Sequence, residues 1–223
     1  MKSLTTAAKK QITQDWAELF PGMGVYKPLH LLRRVGPLLI GIALERDSSN
    51  ISYRPTFHVH SLTSDFSEVS LTMSQALATV RTNAPETIDV VRHNEKFREA
   101  AERLSNQAAL PLSGDLLLST VVAAYQAYIR RPTTHYQPEL YEDIALISAW
   151  LGDTEQASRV IEEATSVMQS WPQNVLEAIG GLNEWIAALR DRASKPGEIR
   201  AAVERRVEDL GVSTIARATL LRG

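Results

Sequence analysis

Cysteine is absent from the 223 residues. Its absence removes disulfides, thiolate metal sites, iron–sulfur clusters and cysteine nucleophiles together, and fits a reducing compartment. Long apolar runs are missing too: "VGPLLIGIAL", residues 35–44, is about half of the roughly 18 residues a membrane span needs. The opening stretch "MKSLTTAAKKQITQDWAELF" sets Lys9 and Lys10 inside its apolar part and Asp15 soon after, so it has no uninterrupted signal-peptide core. The expectation is a soluble protein of the bacterial cytoplasm with no membrane contact. Charge of one sign is also lacking, since 24 Lys and Arg face 26 Asp and Glu for a net of −2. Nucleic acid is therefore not an expected partner. No phosphate-cradling G-x-x-x-x-G-K-[ST], no G-x-S-x-G elbow and no G-x-G-x-x-G after a strand occurs. The lone G-x-G in "FPGMGV" follows a helical stretch and precedes none. No cofactor and no resident metal are expected.

What is present is a chain with 44% hydrophobic residues, enough for a real core without covalent staples. Residues 5–20 carry Ala8, Ile12, Trp16 and Leu19 on one helical stripe, ended by Pro21-Gly22. Two strand candidates follow at 33–46 and 53–63, separated by the turn formers of "DSSNIS". They read as an antiparallel hairpin, which is unstable alone and must be covered. From Leu71 onward helical periods dominate, predicting helices at 74–82, 86–91, 95–105, 114–129, 138–151, 154–170, 172–192, 196–209 and 213–221. Thr154 after Gly152-Asp153, Pro196 after Ser194-Lys195, and Ser213 are the start signals. The expected fold class is α+β, mostly α. An N-terminal helix and an antiparallel β-hairpin or small sheet (1–70) pack on a multi-helix bundle (71–223) in one continuous domain. "RRPTTHYQP", 130–138, is the boundary candidate and reads as a long helix–helix loop.

"AWLGDTEQASRVIEEA", residues 149–164, resembles the centre of a tetratricopeptide repeat. Gly152-Asp153 stand at the turn, Ala157 five residues after the glycine, and Ala164 seven after that. The resemblance, over about 138–170, implies one helical hairpin closed through small residues. No second copy recurs about 34 residues away, so it does not imply an array, which needs about three units.

"TFHVHSLTSD" holds the one histidine pair on a strand. Alternation turns His58 and His60 to one face with Thr56 and Leu62, and Phe57, Val59 and Ser61 to the other. The spacing suits two metal ligands, with His30, His93, His135 or a carboxylate as a third, yet none of these adds a helical H-x-x-x-H or H-x-x-E. The H-x-[ST] element of two-histidine phosphoesterases is not met either, because position 60 carries histidine where a hydroxyl belongs and no second copy exists. The pair therefore reads as the structural or partner-facing polar side of a sheet. A hydrolase or metal-dependent enzyme centred on His58 and His60 is the alternative. Arg33-Arg34, and Glu45-Arg46-Asp47 with Arg54, read as solvated hairpin ends.

Two features point to a protein partner. Tyr125, Tyr128, Tyr136 and Tyr141 surround the "RRPTTH" loop and give Arg130 and Arg131 aromatic neighbours, the residue types that anchor interfaces. Residues 136–223 hold 9 Lys and Arg against 14 Asp and Glu. Glu139, Glu142, Asp143, Glu155, Glu162 and Glu163 thus form a candidate acidic surface for a basic partner. In size, lack of cysteine and α+β make-up the chain is similar in general type to bacterial immunity and adaptor proteins. The expected function is non-catalytic protein binding, as an immunity protein that neutralises a toxin or effector.

Overall fold

The computed structural model describes residues 3–223. In chain order its helices and strands are α1 (Thr6–Leu19), β1 (Gly24–Lys27), β2 (His30–Val35), β3 (Leu38–Arg46), β4 (Ser52–Ser61), β5 (Met73–Ala76) and β6 (Ile88–Asp89). A single 3-10 turn, Val90–Arg92, leads into α2 (His93–Gln107), β7 (Leu116–Leu117), α3 (Leu118–Ile129), α4 (Pro138–Leu151) and α5 (Thr154–Met168). The chain ends through α6 (Gln173–Ala178), α7 (Leu182–Ala193), α8 (Pro196–Asp209), β8 (Arg217–Ala218) and β9 (Leu220–Leu221). The α+β, helix-rich class expected from the sequence is what forms. Among the described residues, no helix is long and apolar enough to cross a membrane.

The elements gather into two compact units, each discontinuous in sequence. The first comprises Met1–His60, Val69–Asp115 and Val212–Thr219. Its sheet runs β1-β2-β3-β4-β5, with β6 also on β4 and β8 on β2. β2 lies antiparallel to β3 from His30↔Ala43 to Val35↔Leu38, and β8 joins Arg34 and Val35 in parallel. Leu31, Leu32, Leu38, Leu39, Ile40 and Ile42 are fully buried, so β3 reads from Leu38 to Leu44 as an unbroken apolar run instead of an alternating one, and β2 is buried on both faces although it carries Arg33 and Arg34. Thr5 caps α1 by accepting the Ala8 N–H, and α1 turns Ile12 and Trp16 inward. α2 buries Phe97, Ala100, Ala101 and Leu104.

Four expectations are corrected here. Residues 33–46 are two strands and not one, because Gly36-Pro37 makes a turn with Gly36 at φ +57°, a conformation glycine adopts freely. Residues 74–82 and 86–91 are not helical: Met73–Ala76 pairs with Thr56–Val59, and Ile88–Asp89 with Ser52 and Tyr53. The backbone groups of β4 need ladder partners, and that long-range demand overrides a weak local period. Residues 213–221 likewise become a turn and two short strands. Arg33 and Arg34 are 2% and 5% exposed and so are not solvated. Arg33 donates to the Gly114 carbonyl, Arg34 Nε to that of Gly36 at 2.9 Å, and the Ala216 carbonyl accepts the Arg34 N–H.

The second unit comprises Ser61–Glu68, Leu116–Gly211 and Leu220–Gly223. α4 is its centre, buried over most of its circumference and in contact with α3, α5, α7 and α8. A helix of that pattern belongs in a core. It ends at Gly152, φ +86°, and Asp153 caps α5 by accepting the Gln156 N–H at 3.1 Å. Ala149, Ala157 and Ala164 are buried where α4 and α5 pack together. The predicted helix 172–192 is divided into α6 and α7 by Gly180 and Gly181, at φ +85° and +99°. The predicted start at 114 moves to Leu118 because Leu116–Leu117 pairs in parallel with Leu220–Leu221. The 130–137 segment is the α3–α4 connection inside this unit.

Candidate functional site

His58 and His60 are both 0% exposed. Of the two sequence readings of this pair, structural or partner-facing, the partner-facing one is corrected, since β4 is covered on the face that carries them. Room for His58 comes from Gly41 on the neighbouring β3: a Cβ there would collide with His58 Nε2. The third imidazole that the sequence left open is His30, whose Nε2 lies 2.7 Å from His58 Nε2. One ring donates and the other accepts, and the accepting ring is neutral. Burial, then the Lys27 charge, lowers His30 to about 4. Burial, then His30 and His60, holds His58 well below the usual imidazole range. His58 Nδ1 is buried without a hydrogen-bond partner among the described residues, which favours the tautomer with its proton on Nε2, because an orphaned buried N–H is the rarer fault. Two nitrogens on one tetrahedral metal at 2.0–2.1 Å stand about 3.3 Å apart. The 2.7 Å separation fits a shared proton instead. His60 turns elsewhere, with Nδ1 accepting the Ser70 N–H at 3.1 Å. Among the described residues, no three His, Asp or Glu side chains are placed to share a metal.

A second polar chain, unseen in the sequence, joins α1, β4 and α2. Trp16 Nε1 donates to Tyr53 Oη at 3.2 Å, Tyr53 Oη lies 2.7 Å from His93 Nδ1, and His93 Nε2 lies 2.8 Å from Asp15 Oδ2. With Asp15 as acceptor, the donors run in one direction: indole to phenol, phenol to Nδ1, and Nε2–H to carboxylate. This is the Asp-His-hydroxyl order of a nucleophile activator. Its hydroxyl, however, belongs to a fully buried tyrosine, and burial pushes that phenol well above its ordinary range. A hydroxyl without access and with its proton held tightly is a core strut. His93 and Asp15 are 78 residues apart, and no local spacing announces such a pair.

The six acidic candidates of the second unit separate into two groups. Glu139, Glu155 and Glu162 are exposed and Glu163 is half-buried, accepting from Gln126 Nε2 at 2.9 Å. Glu142 is half-buried and already engaged by Trp185 Nε1 at 2.6 Å and Arg192 at 3.1 Å. Asp143 is 2% exposed, which corrects its assignment to the surface. α4 is buried on the side that carries it. Ser64 Oγ donates to Asp143 Oδ1 at 2.9 Å and Tyr125 Oη to Oδ2 at 3.3 Å. Burial raises its carboxyl to about 7, against the downward pull of the Ser64, Ser61 and Tyr125 hydroxyls. Asp143 also lines a cavity of about 350 Å3 with Ser64, Glu142, Leu146 and Arg192.

The tyrosines of the α3–α4 connection do not all face outward. Tyr125 and Tyr141 are buried, whereas Tyr136 is 49% exposed. Tyr136 has φ +50° and sets its ring against Trp171, centroids 5.4 Å apart and edge to face, with His135 at 6.1 Å. Val167, 40% exposed, continues this surface. Arg131 lies over the Tyr128 ring at 4.7 Å, and Arg130 is exposed. The structure thus groups Tyr136 with Trp171 and Val167, two residues that the sequence did not mark as functional. Their signal was present only as an apolar residue and a tryptophan at the end of α5.

Compared with models of known protein families, with curated proteins and with solved structures, the chain matches none of them.

Proposed function

We propose that the chain is a non-catalytic protein-binding protein, acting as a bacterial immunity protein that holds a toxin or effector in the cytoplasm. The observation that carries this reading is the surface cluster of Tyr136, Trp171 and Val167. Left-handed backbone costs a non-glycine residue on the order of 1 kcal/mol or more. At Tyr136 that conformation holds a large ring half in water. Aromatic anchors with arginines at the rim are the composition of interface hot spots, and Arg130, Arg131 and Glu139 supply the rim. The second unit carries 10 Lys and Arg against 16 Asp and Glu, a balance of −6. A basic partner would be drawn to it and its association accelerated.

The test is affinity capture from the host of origin, identification of what is bound, and titration of the purified pair. Tyr136→Ala with Trp171→Ala is expected to weaken the complex by at least about tenfold, the loss of one hot spot. Glu139→Lys, Glu155→Lys and Glu162→Lys together lower the association rate and flatten its salt dependence. A partner held equally well by both variant sets removes the proposal.

A further inference from the structure

A solvent-open cavity of about 760 Å3 in the first unit is bordered by α1, β1 and the β1–β2 turn, a volume within the range of small-molecule sites. Lys9 and Lys10 of α1, Lys27 of β1 and Arg46 at the end of β3 all line it, and no acidic side chain does among the described residues. The nearby carboxylates are committed elsewhere. Asp15 is bound to His93, Glu45 to Arg54 and Thr56, and Asp47 to the Ser49 and Ser52 hydroxyls. Arg46 donates to the neutral Asn50 side chain at 3.1 Å, and Lys27 Nζ stands 4.9 Å from the Tyr26 ring centroid. Four cations from three elements thus converge on a wall that holds no counter-charge among the described residues. Such a convergence is repulsive when empty and is relieved by an anion. Its wall is also fixed: Thr13 Oγ1 accepts the Leu29 N–H at 2.7 Å and donates to the Lys9 carbonyl at 2.6 Å, tying helix to turn. The low value of His30, to which Lys27 contributes, is consistent with this positive field.

We propose that this cavity binds a phosphorylated small molecule, with Lys9, Lys10, Lys27 and Arg46 holding its phosphates and Val25 and the Tyr26 ring supporting its organic part. Charge density selects phosphate over a single carboxylate, because four cations meet an oligoanion, and arginine holds two oxygens of one phosphate. An acidic peptide added as a strand to β1 is disfavoured. The strand has four residues, its register slips between Val25 and Lys27, and it carries a lysine, all of which hinder edge pairing. The site is separate from the surface proposed for protein binding and does not depend on it.

The experiment is calorimetric titration of the full chain with inorganic pyrophosphate and with ATP at low salt. Saturable binding of both is expected, with ATP the tighter. Lys9→Ala/Lys27→Ala should weaken both by at least about tenfold, the loss of charge-assisted bonds. Lys10→Gln/Arg46→Gln, at two exposed positions, is an independent pair expected to act in the same direction. Lys195→Ala, an exposed lysine paired with Asp191 in the second unit, should bind as wild type. The proposal is overturned by no saturable binding of either anion, by unchanged affinity in both double variants, by equal loss in Lys195→Ala, or by an aspartate-rich peptide binding more tightly than ATP.

Discussion

Replacing Asp143 by asparagine keeps the shape of a side chain inside the second unit and removes its ability to ionise. The folded carboxyl titrates at about 7 against an ordinary 3.8, with burial the largest cause. The folded state therefore holds the proton more tightly than the unfolded chain. Stability from this group is fully present below about pH 4 and is lost as pH rises toward 7, at about 1.4 kcal/mol per unit. The whole effect is about 4 kcal/mol, of which about 2.5 kcal/mol falls between pH 5 and 8. An amide at this position has no such loss, so the Asp143→Asn variant should gain about that much on wild type across the interval, whatever its offset at the acid end. Urea unfolding of both proteins at about pH 5 and pH 8 measures it, and the difference between them cancels every other titrating group. A difference constant to within about 0.5 kcal/mol would show that Asp143 is ionised in the fold throughout, and would refute burial as the controlling cause.

Gly41→Ala drives a Cβ into His58 Nε2 and sets it 2.6 Å from Leu32 Cδ2. Overpacking and a broken His30–His58 bond together should cost about 2–4 kcal/mol; a denaturation midpoint equal to wild type would contradict the packing described. The imidazole resonances of His30 and His58 should stay at neutral positions down to about pH 5, since burial depresses both. Their contribution to stability is present above the ordinary value of 6.5 and is lost as pH falls below it, when the unfolded rings take up protons first. Titration of either ring near pH 6.5 in the folded protein would contradict the buried pair.

Legibility in the sequence follows the range of the interaction. α4 and α8 begin and end where Pro138, Gly152 and Pro196 place them, because capping is decided within a few residues. Residues 73–76 and 88–89 carry no local sign of extension, because their strand character comes only from β4. The burial of His58 is legible in part: "LLIGIAL" has no alternation, the mark of a strand covered on both faces. Its glycine is the sign that something large crosses β3. The Trp16–Tyr53–His93–Asp15 chain and the Ser64–Asp143–Tyr125 cluster bring together residues from distant segments, and no periodicity records such meetings. The exposure of Tyr136 is likewise hidden, because Tyr125 and Tyr141 have the same composition signal and are buried.

The ten residues from Val212 to Leu221 serve both units: β8 closes on β2 in the first, and β9 on β7 in the second. Neither can reach its final hydrogen bonding until a loop spanning much of the polypeptide has closed, which makes folding slow relative to a helical protein of equal length. Dividing the gene after Asp115 would not yield two modules but two fragments, one lacking a sheet strand and the other carrying that strand with nothing to pair it. Fragment complementation, with residues 1–115 and 116–223 expressed together, is therefore the natural way to take this architecture apart.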